Sequence, residues 1–374
     1  LLRRVGDDVA TLGVAGERKL TTNAYLVGTS RLLDRPLAAI VQGSTSSGKS
    51  YATEKVARLF PPEAVVLATQ ITSQALFYMP PGSLVHRWVV CGERSRIQDD
   101  DRAEATRALR EMLSAGRLSK LVTVKEDGQF VARLIEQEGP IAFIESTTLG
   151  SVFEEDANRC LLLQTDERKE QTRKVLDAAA KRFAGAVGGD SDRLAQVHHA
   201  AQRMLKPRAV VIPFAAQVAT AFDDIRVDSR RHYAHLMHLT TAVTLLHQLQ
   251  REEDADGRLI ATAFDYQVAA DLIAEPFEKA GGGVSRGATA LLERLKARFD
   301  DREFNTRQVR ENETASRGAI HGWLSELVDG GAVEQTEPGR GKVPAKWKLT
   351  GKEPSRSTLK APSAADVFSE PPDP

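Results

Sequence analysis

Cysteine is nearly absent from this chain of 374 residues: only Cys91 and Cys160 occur. Both fall inside apolar runs that read as buried strands, so they are expected as small core residues rather than as a disulfide. Nothing in that usage asks for an oxidising compartment, and a cytoplasmic protein is expected. Net charge is absent too, with 51 basic and 51 acidic side chains. Affinity for a polyanion must therefore come from local patches. A long hydrophobic run is also missing. The longest apolar stretch, Ala209 to Phe222, is interrupted by Pro213, Gln217 and Thr220. It is too short to cross a bilayer, and no membrane partner is expected. The patterns of a zinc site are lacking as well. His232, His235 and His238 recur every third residue without a cysteine pair or an H-E-x-x-H, so they read as one face of a helix. No signal peptide is visible. The chain starts at Leu1 rather than Met, and the expectation is a piece of a longer polypeptide.

What remains is the composition of a water-soluble globular protein, 41% hydrophobic and 27% charged, with length for two or three domains. Its most informative stretch is Gln42-Gly43-Ser44-Thr45-Ser46-Ser47-Gly48-Lys49-Ser50, which completes G-x-x-x-x-G-K-[ST]. The apolar run Leu37 to Val41 enters it as a buried strand. Tyr51 to Phe60 leaves it with helical spacing (Ala52, Val56, Leu59, Phe60) and stops at Pro61-Pro62. Strand, glycine-bounded loop and helix let backbone N–H groups and the positive helix end cradle phosphates. Gly43, Ser44, Thr45, Ser46, Ser47 and Gly48 are expected to form that cradle. Lys49 should reach the β/γ-phosphates, and the Ser50 hydroxyl should ligate Mg²⁺. ATP and Mg²⁺ are the expected cofactors.

A short helical segment, Asn23 to Leu33, precedes the first strand. Further apolar runs follow at Ala64–Ala68, Arg87–Glu93, Ile141–Ile144 and Cys160–Leu163, with a helix from about Asp101 to Ala115. Almost wholly apolar strands alternating with helices predict an α/β fold with a parallel sheet covered by helices on both faces. One insertion breaks the alternation. Leu121–Lys125 and Gln129–Arg133 flank Glu126-Asp127-Gly128, a strong hairpin signal. It reads either as a plain surface hairpin or as a functional projection tipped by Lys125.

Glu93 ends the third run, where an acidic residue can orient an attacking water or hold Mg²⁺ through its shell. The usual pair at this point is Asp-Glu, whereas this chain has Gly92-Glu93. Asp99-Asp100-Asp101 follows no apolar strand and reads as a solvated helix start. The fourth run ends in Ser146, Thr147 and Thr148, whose hydroxyls can meet a γ-phosphate or the water. Arg159 stands at the mouth of the fifth run. It reads either as an arginine reaching a neighbouring subunit's nucleotide or as the partner of Glu154, Glu155 or Asp156.

This ordered set resembles the AAA+ ATPases of the pre-sensor-1 hairpin clade. More narrowly, Gln42 to Ser50, Glu145-Ser146-Thr147-Thr148, Glu154 to Cys160 and Gln171-Thr172-Arg173 are similar to the ATPase segment of phage and integrative-element primase-helicases. So are Ala201-Gln202-Arg203 with Leu205-Lys206-Pro207 and Ile212-Pro213, and Leu246-His247-Gln248 with Gln250-Arg251. The resemblance covers roughly residues 20 to 275. It implies a DNA-dependent ATPase that forms a ring, a hexamer in expectation. Glu93 is then catalytic, Thr147 or Thr148 the sensor, Arg159 the finger, and Arg173 or Arg203 the lid arginine. The hairpin would project into the ring channel with Lys125 on DNA, and a primase would lie upstream or on a separate chain.

Residues 166–280 are mostly helical by pattern and read as a lid following the ATPase core of residues 1–165. Gly281-Gly282-Gly283 marks a joint. Beyond it, helices at Ala288–Phe299, Thr306–Asn312 and Ser316–Asp329 precede strands at Ala332–Glu334 and Ala345–Leu349. Three helices and a two-stranded ribbon predict a winged helix-turn-helix over residues 284–350. From Pro338 to Lys360 there are seven basic residues against one acidic residue. Arg317, Arg340, Lys342, Lys346 and Lys348 are the expected DNA contacts, although winged helices also serve as protein contacts. Residues 351–374, rich in Pro, Ser and Lys, are expected to be disordered. Two functions stand: an ATP-driven DNA motor, the helicase part of a mobile-element or phage replication protein, or an ATP-controlled initiator or loader that does not translocate. A small-molecule P-loop kinase explains neither the winged unit nor Arg159.

Overall fold

The apolar runs become the strands of a parallel sheet. The structure, a computed structural model, describes residues 1–71, 75–94, 100–126, 128–148, 159–185, 190–222, 229–281, 286–300, 302–311, 317–337, 339, 344–352 and 361–368. The chain divides into two compact units, one of residues 1–273 with 361–374 and one of residues 274–360.

In the first unit, helix α1 (Leu2–Thr11) and helix α2 (Arg18–Thr29) lead into strand β1 (Ala38–Gln42). Helix α3 (Lys49–Ala57), β2 (Val65–Ala68), β3 (Arg87–Arg94) and α4 (Asp100–Ala115) follow. A hairpin of β4 (Arg117–Glu126) and β5 (Gln129–Glu138) precedes β6 (Ile141–Thr147) and β7 (Leu161–Gln164). Among the described residues, five strands pair in parallel in the order β2-β3-β6-β1-β7. Strands β1 and β6 are buried on both faces, which is why they carry no polar alternation, while the edge strand β2 is only partly covered.

On one face Ala38, Ile40, Val89 and Phe143 pack with Ala108 and Met112 of α4 and with Leu118 at the hairpin base. On the other, Trp88 meets Phe60 (ring centroids 4.8 Å apart) and Phe60 meets Tyr25 of α2 (4.9 Å). Every residue of α2 from Leu20 to Thr29 is buried. Gly28 makes that possible, because a β-carbon there would stand 2.6 Å from the Trp88 ring and 2.7 Å from Phe60. Burying side chains such as Ile40 or Trp88 contributes about 1.5–3 kcal/mol each before entropy.

The hairpin is twice as long as the alternating runs suggest, in unbroken register from Arg117 opposite Glu138 to Glu126 opposite Gln129. Its base is fixed by the buried Gln137, whose amide Nε2 donates to the Phe77 carbonyl at 3.3 Å and to the Met79 carbonyl. Its outer part is exposed.

The following region is helical as expected: α5 (Lys169–Phe183), α6 (Ser191–Met204), α7 (Ala215–Ala221), α8 (Ser229–Leu246) and α9 (Ala263–Gly281). Between them the two-residue strands β8 (Val210–Val211) and β9 (Leu259–Ile260) pair in parallel. A buried polar chain fastens α6 to α1 and α2. His198 Nε2 lies 2.8 Å from Asp8 Oδ2 and its Nδ1 3.1 Å from Tyr25 Oη, while Gln202 accepts from Arg31 at 2.7 Å and donates to Thr29. His232, His235 and His238 share α8. No group of three or more metal-binding side chains is found among the described residues, and no described helix is long and apolar enough to cross a membrane.

The second unit holds α10 (Arg286–Phe299), β10 (Phe304–Asn305), α11 (Thr306–Arg310), α12 (Arg317–Asp329), β11 (Val333–Glu337) and β12 (Lys346–Leu349). Its sheet is antiparallel in the order β10-β12-β11, so a third short strand joins the expected ribbon. Leu291, Leu295, Phe299, Ile320, Leu324, Leu327 and Trp347 form its core.

Composition misleads about the tail. Residues 361–368, expected to be disordered, belong to the first unit and end in helix α13 (Ala364–Val367). A capping box of Ser363 and Asp366 starts that helix. Tyr266 Oη donates to the Pro362 carbonyl at 2.7 Å, and the Phe368 ring meets Phe214 (4.9 Å) and Tyr266 (5.8 Å) edge-on. A few apolar contacts with one cap outweigh a disorder-prone composition here.

Candidate functional site

The loop between β1 and α3 carries the site, at the carboxyl ends of the parallel strands, where open α/β sheets place their ligands. Gly43 is required by crowding: a β-carbon there would lie 2.2 Å from Thr165 Oγ1 and 2.7 Å from Ser47 Oγ. Its N–H donates to the Thr147 carbonyl at 3.3 Å, tying the loop to β6. Gly48 takes a left-handed backbone (φ 87°) to open α3, and Ser46 does the same (φ 68°). For a non-glycine residue that conformation costs about 1 kcal/mol or more, strain of the kind that collects at functional loops.

Lys49 is buried and folded over its own loop, its Nζ donating to the carbonyls of Gly43 (2.9 Å) and Ser44 (2.7 Å). An ammonium has three protons, so this fixes the charge at the loop while leaving one for an anion. Ser50 Oγ lies 3.3 Å from Ser146 Oγ, an approach that joins the start of α3 to the end of β6. Thr45 and Ser46 are exposed at the loop tip.

Strand register builds the other wall. Glu93 of β3 pairs with Ser146 of β6, and Ser146 pairs with Val41 of β1. Paired residues in a sheet share a face, so Glu93 and Ser146 point to the side on which α3 lies. Thr147 points to the other face and is fully buried, while Thr148 is half-buried just past the strand. Of the three hydroxyls read from the sequence, Ser146 is the one brought to Ser50.

The departure at Gly92 has a steric cause. β3 bulges between Val90 and Glu93, and a β-carbon on Gly92 would stand 2.5 Å from the Thr69 carbonyl oxygen. No carboxylate fits there without moving the β2 end. Next to the bulge, Cys91 shares the opposite face with the buried Glu145; burial, with help from that carboxylate, pushes its thiol up to about 12. Cys91 and Cys160 are both free thiols.

Two contacts of this site were not read from the sequence. Glu167, past the end of β7, accepts from the Ser44 N–H at 2.5 Å, and Thr165 closes on Gly43. Their signal was positional: Thr165-Asp166-Glu167 follows a core strand at the same end of the sheet as the loop. Glu17 joins them by accepting from the Asp166 N–H at 2.9 Å.

The arginines separate. Arg159 is exposed and its Nε donates to Ser114 Oγ at the end of α4 (2.8 Å); residues 154–156, its alternative partners, lie outside the described residues. Arg203 forms a two-point pair with Glu63 (2.7 and 3.1 Å), beyond the far end of α3 from the loop. Arg173 pairs with Asp177 on its own helix. From α5, Arg182 donates to Tyr51 Oη on α3 at 3.5 Å.

Lys125 is exposed near the hairpin tip, opposite the exposed Phe130. In the second unit Arg340 and Lys342 lie outside the described residues, as does the side chain of Arg317. Lys346 Nζ pairs with Glu337 at 2.9 Å, and Lys348 stands across from Glu334. Strand pairing thus brings two acids to the basic ribbon that the count from Pro338 onward left out.

No protein-family model matches this chain, and no curated protein sequence matches it.

Proposed function

We propose that this protein is an ATP-hydrolysing, DNA-dependent motor of the AAA+ type, the helicase part of a mobile-element or phage replication protein. The observation that carries the reading is the loop Gly43–Ser50 set between a buried parallel strand and a helix, with Lys49 held over it and Ser50 and Glu93 converging on Ser146. The placement of β6 between the loop strand and the Glu93 strand supports it, because an acid one strand removed leaves room for a phosphoryl group and a water. Lys49 and the loop N–H groups would hold the phosphates of ATP, and Ser50 would ligate Mg²⁺. When bound, that ion neutralises phosphate charge and fixes its orientation. Glu93 would take a proton from the attacking water.

Helices α5 to α9 would form the lid. The second unit, three helices and a small antiparallel sheet, would act as a winged helix-turn-helix that holds duplex DNA. The exposed hairpin, with Lys125 opposite Phe130, is the element suited to moving a strand. Arg159 would complete a neighbour's site in a ring, a hexamer by resemblance, with a primase upstream or on a separate chain and a cytoplasmic location.

A forked duplex tests the reading. ATP-dependent strand separation, lost in Lys49→Ala, is the expected result. Nucleotide-controlled duplex binding with no separation would instead mark an initiator or loader.

A further inference from the structure

A hydroxyl that ligates a divalent cation keeps its proton, and that proton needs an acceptor. For Ser50 the position next to Glu93 would offer a carboxylate, but Gly92 fills it and the Thr69 carbonyl, 2.5 Å from any β-carbon there, keeps it side-chain-free. The nearby hydroxyls sort themselves by geometry. Thr53 Oγ1 is donated back to the carbonyls of Lys49 and Ser50 (3.2 and 3.0 Å). Thr147 faces the other side of the sheet. Ser146 Oγ lies 3.3 Å from Ser50 Oγ on a residue only 1% exposed, so bulk water does not compete for the contact.

We infer that the Ser146 hydroxyl accepts the Ser50 O–H when Ser50 ligates a divalent cation, standing in for the acid that residue 92 cannot supply. Ser146 is then a positioning residue: it touches neither phosphate nor water and acts through Ser50. The inference rests on the nucleotide-binding reading above and adds to it which residue sets the metal dependence.

The test measures ATP affinity with Mg²⁺ and with EDTA in the full chain. Wild type should gain affinity from Mg²⁺. Ser146→Ala should lose about ten- to a hundredfold of that gain, the usual scale for the partner of a metal ligand, with its affinity in EDTA unchanged. Ser146→Thr, which keeps the hydroxyl, should retain the gain. In a Ser50→Ala background Ser146→Ala should cause no further loss, because the two act as a unit. If Ser146→Ala melts early, Ser146→Cys, close in shape and a poor acceptor, repeats the measurement. A full Mg²⁺ gain in Ser146→Ala or Ser146→Cys, or additive losses with Ser50→Ala, overturns this inference alone. A wild type that binds no ATP overturns the reading beneath it as well.

Discussion

Glu167 places a carboxylate oxygen 2.5 Å from the Ser44 backbone N–H, in the loop proposed above to hold phosphates. On that proposal its charge would oppose the incoming phosphates, while its hydrogen bond steadies the loop. Glu167→Gln keeps an acceptor and removes the charge. ATP affinity should rise about two- to fivefold at low salt, the scale of an exposed charge pair, and the gain should shrink as salt is added. Titration calorimetry at two ionic strengths checks this; equal affinity at both would show that the charge is silent.

Lys49 and Glu93 should fail in different ways. Lys49→Ala removes the cation held over Gly43 and Ser44 and should lose nucleotide binding together with turnover. Glu93→Gln leaves the loop intact and should bind ATP while turnover falls by at least about a hundredfold, as expected for losing a positioned base. Wild-type hydrolysis by Glu93→Gln would remove Glu93 from the site.

Arg159 is exposed, with Ser114 as its partner at the end of α4. If it completes a neighbour's site, Arg159→Ala and Lys49→Ala subunits should each be inactive and regain partial ATPase activity on mixing. Full activity in a strictly monomeric preparation would show that Arg159 works in no other subunit.

Phe368 seats the tail on Phe214 and Tyr266. Phe368→Ala should cost about 1–3 kcal/mol, below the full-burial figure because the residue is half-buried, and should lower Tm. Removal of everything after residue 283 would strip this contact along with the second unit. The DNA role proposed for that unit is therefore tested by an internal deletion of residues 284–360. An unchanged Tm for Phe368→Ala would mean the segment is not bound in solution.

His198 sits between Asp8 and Tyr25, and burial is the leading cause that holds its imidazole below its usual 6.5, against the opposing pull of Asp8. The folded state therefore resists protonation that the unfolded chain accepts. Stability from this group is complete above pH 6.5 and is lost as the pH falls below it. Arg4, paired with Asp8 at 3.8 Å, opposes a further positive charge there. Melting at pH 7.5 and 5.5 should show a drop that is smaller in His198→Gln.

The sequence by itself determined the sheet, the glycine-bounded loop between β1 and α3, and the hairpin. Apolar runs buried on two faces, a glycine-bounded loop and an Asp-Gly turn are local signals, written in consecutive residues. Gly43 and Lys49 could be placed with no knowledge of the rest of the chain. Which residues meet was decided by tertiary structure alone. Ser146 rather than Thr147 reaches Ser50, because strand register and the alternation of side chains select the face. Gly92 lacks a carboxylate because Thr69, more than twenty residues earlier, crowds the bulge. Glu63 holds Arg203 away from the loop, and Glu334 and Glu337 temper a ribbon that looked mostly basic. Phe368 finds its ring partners in a tail whose composition argued for disorder. Each of these depends on atoms far apart in the chain, and a local pattern carries no record of the distance between them.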